Sequence, residues 1–392
     1  MSSASRGICF HIHDRSNSPG TTLRVYRLAE SLRKKGVDLK VVSPFVSNGG
    51  EHGVLHSKSR VYKLIRSFLS SRFGARVFLS EFALQKVIRQ LTKQFADEVA
   101  KSDPVFIQAE QEIAALACLE VSERFKVPLV VSLHNIWGEE LVAANIIQRQ
   151  SKQFRTTSLI VERIVNNCDL IIAVSDEMAE YLVSNFGVAR SRVVVIPPNG
   201  VILDIGANRA IANDSVVYAG LMAHREHVDL LIKSMAIIKH LREQASLHMT
   251  DKGELKNHIS RLARSLGVEP TFFWFERQEE FFRFLSTRSV GALPSSNDIP
   301  RRLGPPLKML DYMSAGVPIV ANDIGGWSEM VSKHNLGVLT EDDPRSFADG
   351  IESLLFDPEK ARLMGENGMK LVHEKLNWDN SAAILSERYR KL

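Results

Sequence analysis

Residues 304–326 read GPPLKMLDYMSAGVPIVANDIGG, a stretch in which a helix start, a cation, a carboxylate and two glycine turns fall close together. Pro305 and Pro306 suit the entry and first turn of a helix, because proline has a helical φ and lacks only an N–H that would go unpaired there. Leu307, Leu310, Met313 and Ser314 recur at helical spacing, Gly316 supplies a left-handed C-cap, and Pro318 stops continuation. An apolar strand and the pair Gly325-Gly326 follow. The helix N-terminus offers free N–H groups and about half a positive charge, which suits a phosphate, and Lys308 adds a full charge in the same turn. One turn on, an ionised Asp311 accepts hydrogen bonds only and can take two hydroxyls of a sugar such as ribose. Phosphate beside ribose points to a nucleotide. An amphipathic helix with a solvated Lys308 and Asp311 explains this stretch alone equally well.

Outward from this stretch, short β-rich runs alternate with helical ones, the pattern of parallel sheets covered by helices on both faces. Strands are expected at GICFHIH, DLKVVSP, VFIQA, PLVVSLH, LIIAVS and VVVIPP, then at SVVYAG, SLHMTD, TFFWF, SVGALPSS, VPIVAND and LGVLT. These make two similar halves. Pro197, Pro198, Asn199 and Gly200 form a turn signal before a stretch without clear periodicity. The expected division is therefore 1–199, 200–375 and a terminal segment 376–392. In doubly wound sheets ligands bind beyond the C-terminal strand ends. That points to SNSPGTT, LHNIW, AGLMAHRE and NDIPRRLGPP, with a cleft between the halves as the expected active site.

Composition narrows the class. With 392 residues the chain exceeds what one core usually supports, and 44% apolar and 24% charged residues are ordinary for a globular protein. No run approaches the roughly 18 apolar residues of a membrane span, and the start MSSASRGICFHIHD lacks the apolar region of a signal peptide. Cys9, Cys118 and Cys168 are odd in number and far apart, against a disulfide framework or a zinc site. A cytoplasmic location is the expectation. The net charge of +5 favours anionic partners, but no zinc-finger spacing, aromatic RNA motif or basic tail supports nucleic acid. Residues 58–76, KSRVYKLIRSFLSSRFGAR, carry an apolar helical stripe ringed by basic residues without an acid. The stripe either packs on the first sheet or holds the protein peripherally at an anionic cytoplasmic membrane face, beside a lipid-linked acceptor.

PLKMLDYMSAGVPIVANDIGGWSEMV resembles the signature of retaining glycosyltransferases of family 4, and LRVYRLAESLRKKGVDLKVVSP, CDLIIAVSDEMAEYL and VVVIPPNGV match other parts of that family in order. The resemblance implies the α/β GT-B fold: two facing Rossmann-like domains with an interdomain cleft and a C-terminal helix crossing back to the first. Asn377, Asp379 and Asn380 are the expected caps of that helix, and Ala383, Ile384 and Leu385 its apolar stripe. It further implies a retaining, metal-independent, hexosyltransferase-like enzyme moving a sugar from a nucleotide diphosphate sugar to a hydroxyl acceptor, by front-face substitution and with no cofactor. Acceptor binding falls to the first domain and donor binding to the second. Carried over by position, Asp311 holds the ribose, while Gly304, Leu307 and Lys308 lie by the diphosphate with Gly220. His134 approaches the reacting centre, or is a buried structural histidine. Pro19 and Gly20 stand at the first-domain glycine loop, where the family has two glycines.

Departures are also visible. Leu303 occupies the position of the family's first carboxylate, with Asp298 as a loose substitute. Leu221 and Glu226 replace the usual diphosphate cations, leaving His224, Arg225, Arg301 and Arg302 either to swing in or to stay solvated. These departures keep open a catalytically inactive, sugar-nucleotide-binding or scaffolding homologue. A dehydrogenase is disfavoured, because no G-x-G-x-x-G follows an expected strand.

Overall fold

The computed structural model describes residues 5–12, 19–45, 53–55, 81–203 and 211–392. The basic stripe of residues 58–76 lies outside them. The chain forms two compact units, Met1–Pro197 with Trp378–Leu392, and Pro198–Asn377.

In the first unit, seven strands form one sheet: β1 (Ser5–Phe10), β2 (Val37–Phe45), β3 (Gly53–Leu55), β4 (Phe106–Glu110), β5 (Leu129–Leu133), β6 (Leu170–Ala173) and β7 (Val193–Val195). Every pairing is parallel and the order is β3-β2-β1-β4-β5-β6-β7. Strands such as FIQAE and LVVSL are buried at every residue, as expected when helices cover both faces. In the second unit β8 (Ser215–Tyr218), β9 (Ser246–Thr250), β10 (Thr271–Phe273), β11 (Val290–Leu293), β12 (Ile319–Asn322) and β13 (Gly337–Thr340) form a parallel sheet ordered β10-β9-β8-β11-β12-β13. Both orders reverse direction once, between β1 and β4 and between β8 and β11. Such a reversal parts the loops beyond the strand ends and leaves a ligand-sized crevice.

The C-terminal helix Trp378–Tyr389 belongs to the first unit. Ala382, Leu385 and Tyr389 enter a core with Val25, Leu28 and Leu32 of the helix Pro19–Lys34, and the Tyr389 ring lies 4.5 Å from that of Phe106. The expected stripe of Ala383, Ile384 and Leu385 is corrected: Ile384 is exposed. Consecutive residues turn by about 100°, so spacings of three and four residues share the buried face.

Two helix starts also differ from expectation. Pro19 and Gly20 open the helix Pro19–Lys34 instead of lying in a loop. Pro306 is the N-cap of Leu307–Ala315, and Pro305 stands outside it. Before it comes a short helix, Ile299–Leu303, capped by Asp298, whose Oδ1 accepts from the Arg301 N–H at 3.0 Å.

Candidate functional site

The second unit's site grows from the loops after β8, β11 and β12. Tyr312, buried on the helix Leu307–Ala315, ties the β8 end to β11: its Oη accepts from the Ala219 N–H at 2.8 Å and reaches the carbonyls of Ala292 and Val217 at 3.1 and 3.2 Å. Asn322 joins the loops after β11 and β12, accepting from the Ser295 N–H and donating to its carbonyl, both at 2.8 Å. The helix that carries Lys308 and Asp311 is thus fixed to the crevice by buried hydrogen bonds, which hold geometry because breaking one strands a polar group.

Lys308 is buried, with its ammonium bonded to Glu226 and 5.0 Å from the centre of the Tyr218 ring. Its stem crosses Gly220, where an added Cβ would lie 2.4 Å from Lys308 Cε; only glycine leaves that room. The second Glu226 oxygen accepts from Arg301 Nη2, and the exposed Arg225 Nε stands 3.9 Å away. Glu226 is therefore a buried bridge between two cations. Burial alone would raise its pKa, but Lys308 and Arg301 hold it down at about 2. Burial chiefly lowers that of Lys308. Asp311 lies one turn further on, half-buried, and no other described residue hydrogen-bonds its carboxylate. Burial pushes its pKa up to about 7 against the pull of Lys308.

Of the other positions singled out in this region, the structure uses several elsewhere. Asp298 is taken up by its helix cap and by Ser296 Oγ at 2.6 Å. Leu303 is buried, leaving an apolar group where a carboxylate was sought. Leu307 is exposed at the helix entry, and Gly304 joins the two short helices in extended conformation. His224 is exposed, and Arg302 donates to Asn297 Oδ1 at 2.8 Å.

The first unit has a counterpart at its own reversal point. His134 follows β5, and its Nε2 lies 2.9 Å from Glu110 Oε2 and 3.2 Å from Ser132 Oγ. Glu110 ends β4, and Gln108 Nε2 donates to its other oxygen at 2.5 Å. Tyr389 Oη, on the C-terminal helix, donates to Gln108 Oε1 at 2.5 Å. Burial works to raise the pKa of Glu110, but the hydrogen bond and charge of His134, then Arg24 and Gln108, bring it to about 2. Burial, then the charge of Arg24, lowers that of His134. The imidazole thus turns Nε2 toward the Glu110 carboxylate, with burial and Arg24 working against its charged form and Glu110 working for it. Gln111 follows at φ 67°, unusual for a residue other than glycine, and its side chain accepts from the His134 N–H at 3.3 Å. Beside it, buried Glu112 accepts from the Trp137 N–H at 2.8 Å, and burial raises its pKa to about 7.

Sequence reasoning missed Glu110, Gln111 and Arg24. The available signal was the polar triplet Glu110-Gln111-Glu112 immediately after the strand VFIQA. It also read Glu226 as a lost cation and not as the partner of Lys308.

Comparison with known proteins identifies the chain. The glycosyltransferase family 4 profile matches residues 20–204, and the profile described as glycosyl transferases group 1 matches residues 211–371. The chain belongs to the family 4, group 1 glycosyltransferases. This glycosyltransferase is 25% identical over 304 residues to a D-inositol 3-phosphate glycosyltransferase of Paenarthrobacter aurescens, covering 73% of this chain and 72% of the relative. Its fold matches sucrose-phosphate synthase from Thermosynechococcus elongatus with a TM-score of 0.74 at 18% identity, over 99% and 98% of the two chains. Anabaena HepE, solved in complex with UDP, matches at a TM-score of 0.69 and 16% identity over 99% and 100%. These likenesses establish the GT-B type of fold. No helix among the described residues is long and apolar enough to cross a membrane.

Proposed function

We propose that this glycosyltransferase is a retaining, metal-independent enzyme that moves a sugar from a nucleoside diphosphate sugar to a hydroxyl acceptor, with the donor held by the second unit. The observation that carries the reading is the placing of buried Lys308 and largely buried Arg301 at the β8–β11 reversal, with Asp311, whose carboxylate no described residue hydrogen-bonds, one turn beyond. Developing charge on the leaving diphosphate is assigned to these cations and to the N-terminus of the helix Leu307–Ala315, a preorganised arrangement that needs no divalent ion. Asp311 is assigned to the ribose hydroxyls. The UDP bound by HepE supports a nucleotide donor, and the likeness to a D-inositol 3-phosphate glycosyltransferase supports a hydroxyl acceptor. His134 of the first unit, its ring fixed by Glu110, is assigned to the transfer step and not to nucleotide binding.

A second reading, a nucleotide-binding homologue without transferase activity, is favoured by one observation. Leu303 is buried and apolar, so this position cannot orient a donor sugar by hydrogen bonding. Incubation with a panel of labelled nucleotide sugars decides between the readings. Hydrolysis or transfer of any one supports the enzyme, whereas calorimetric binding without turnover supports the inactive homologue.

A further inference from the structure

We propose that Glu226 is an internal anion occupying the phosphate subsite of the second unit, so that a diphosphate binds in competition with its carboxylate. The inference rests on the donor-site reading above. Each Glu226 oxygen is taken by a different cation, with side-chain exposures of 8% for Lys308 and 12% for Arg301. Neither cation makes a second ion pair within 4.0 Å among the described residues, and Asp311 acts on Lys308 at longer range. Two like charges buried side by side repel unless an anion lies between them, and Glu226 is that anion.

Two further observations separate this role from that of a permanent structural ion pair. Arg301 Nε is buried without an acceptor, so the cluster keeps an unspent donor that Glu226 does not reach. The three charges also sit on unequal supports. Lys308 stands on a helix whose Tyr312 is bonded into the β8 and β11 ends, and Arg301 on a helix whose carbonyl at 301 accepts from Trp327 Nε1 at 2.7 Å. Glu226 ends a three-residue turn, His224–Glu226, between exposed Leu221, His224 and Arg225 and a His227 held at φ 50°. The cations stand on bonded helices, and the carboxylate on a three-residue turn whose His224 and Arg225 side chains face solvent and which is tied to the loop after β11 by the Arg225 carbonyl, which accepts from Ser296 Oγ at 2.9 Å and from the Ser296 N–H at 3.3 Å. A diphosphate offers oxygens for both cations and for the idle Arg301 N–H, and its charge is repelled by Glu226.

The consequence is a trade between stability and affinity. Glu226→Gln keeps the shape and removes the charge. It is expected to lower the melting temperature of the ligand-free protein while tightening inorganic pyrophosphate at least tenfold in titration calorimetry, with a larger thermal shift at saturation. A folded Glu226→Gln protein that binds pyrophosphate equally or more weakly than a binding wild type would overturn the proposal and make Glu226 an aligning strut. If neither protein binds pyrophosphate or UDP, the donor-site reading itself falls. Should Glu226→Gln fail to fold alone, refolding in millimolar pyrophosphate replaces the titration. Recovery of folded protein supports the proposal; no recovery, while pyrophosphate raises the wild-type melting temperature, overturns it.

Discussion

The reversal points of the two sheets share a strand order and each buries a carboxylate among bases, yet the bases and the supports differ. In the first unit Glu110 meets the imidazole of His134, and the network runs inward through Gln108 to Tyr389 on the C-terminal helix. Both ends are anchored. In the second unit Glu226 meets Lys308 and Arg301, and this acid stands on a three-residue turn, His224–Glu226. One topology thus carries two different buried clusters, and the difference lies in the partner of the acid and in the element that supports it.

That contrast can be broken experimentally. Deleting residues 378–392 removes Ala382, Leu385 and Tyr389 from the first core; at about 1.5–3 kcal/mol for each large apolar side chain, the first unit should lose roughly 5 kcal/mol, a large part of a typical domain's stability. Limited proteolysis should then cut the first unit and spare the second. Equal resistance of both units would show that the C-terminal helix does not anchor the first site. Next in size is Lys308→Met, which leaves Glu226 with Arg301 and the exposed Arg225 and should cost about 3 kcal/mol in denaturant unfolding, with loss of pyrophosphate binding. A cost near zero would mean that the buried charges are not coupled.

Asp311 sharpens the comparison through pH. Its folded pKa of about 7 lies above the ordinary aspartate value of about 3.9, so the native state holds its proton more tightly than the unfolded chain. The stabilisation is complete below about pH 4 and is lost as pH rises toward 7. Melting of the second unit between pH 5 and 8 should therefore fall less steeply in Asp311→Asn than in wild type, and identical slopes would remove Asp311 as the titrating group. The smallest expected effect is that of Tyr389→Phe, about 1 kcal/mol for one buried hydrogen bond. Turnover should fall while donor affinity is kept; a change in donor affinity instead would cut the link from the C-terminal helix to His134.

The fold was legible because buried parallel strands write themselves as continuous apolar runs, and residues 304–326 carried the second unit's helix, cap and turn in order. The helix Ile299–Leu303 was not, since five residues give no period and NDIP reads as a turn. Individual positions such as Lys308 and Asp311 were visible as chemistry close in sequence. The bridge to Glu226 was not visible, because it joins residues 82 positions apart and sequence spacing does not encode which loops converge at a reversal point. Glu110 escaped for the same reason: at the end of an apolar strand it reads as a boundary residue until β5 brings His134 beside it.

The central claim, that the second unit binds a nucleoside diphosphate through Asp311 and the buried cations, is tested most directly by titrating UDP, GDP and ADP into wild type and Asp311→Ala at pH 8, where the carboxylate is ionised. Charge-assisted hydrogen bonds of about 1.5–3 kcal/mol convert to a roughly ten- to hundredfold loss, so one nucleotide should bind wild type and bind the folded variant that much more weakly. Equal affinity in the two proteins, or no nucleotide bound by wild type, would contradict the account.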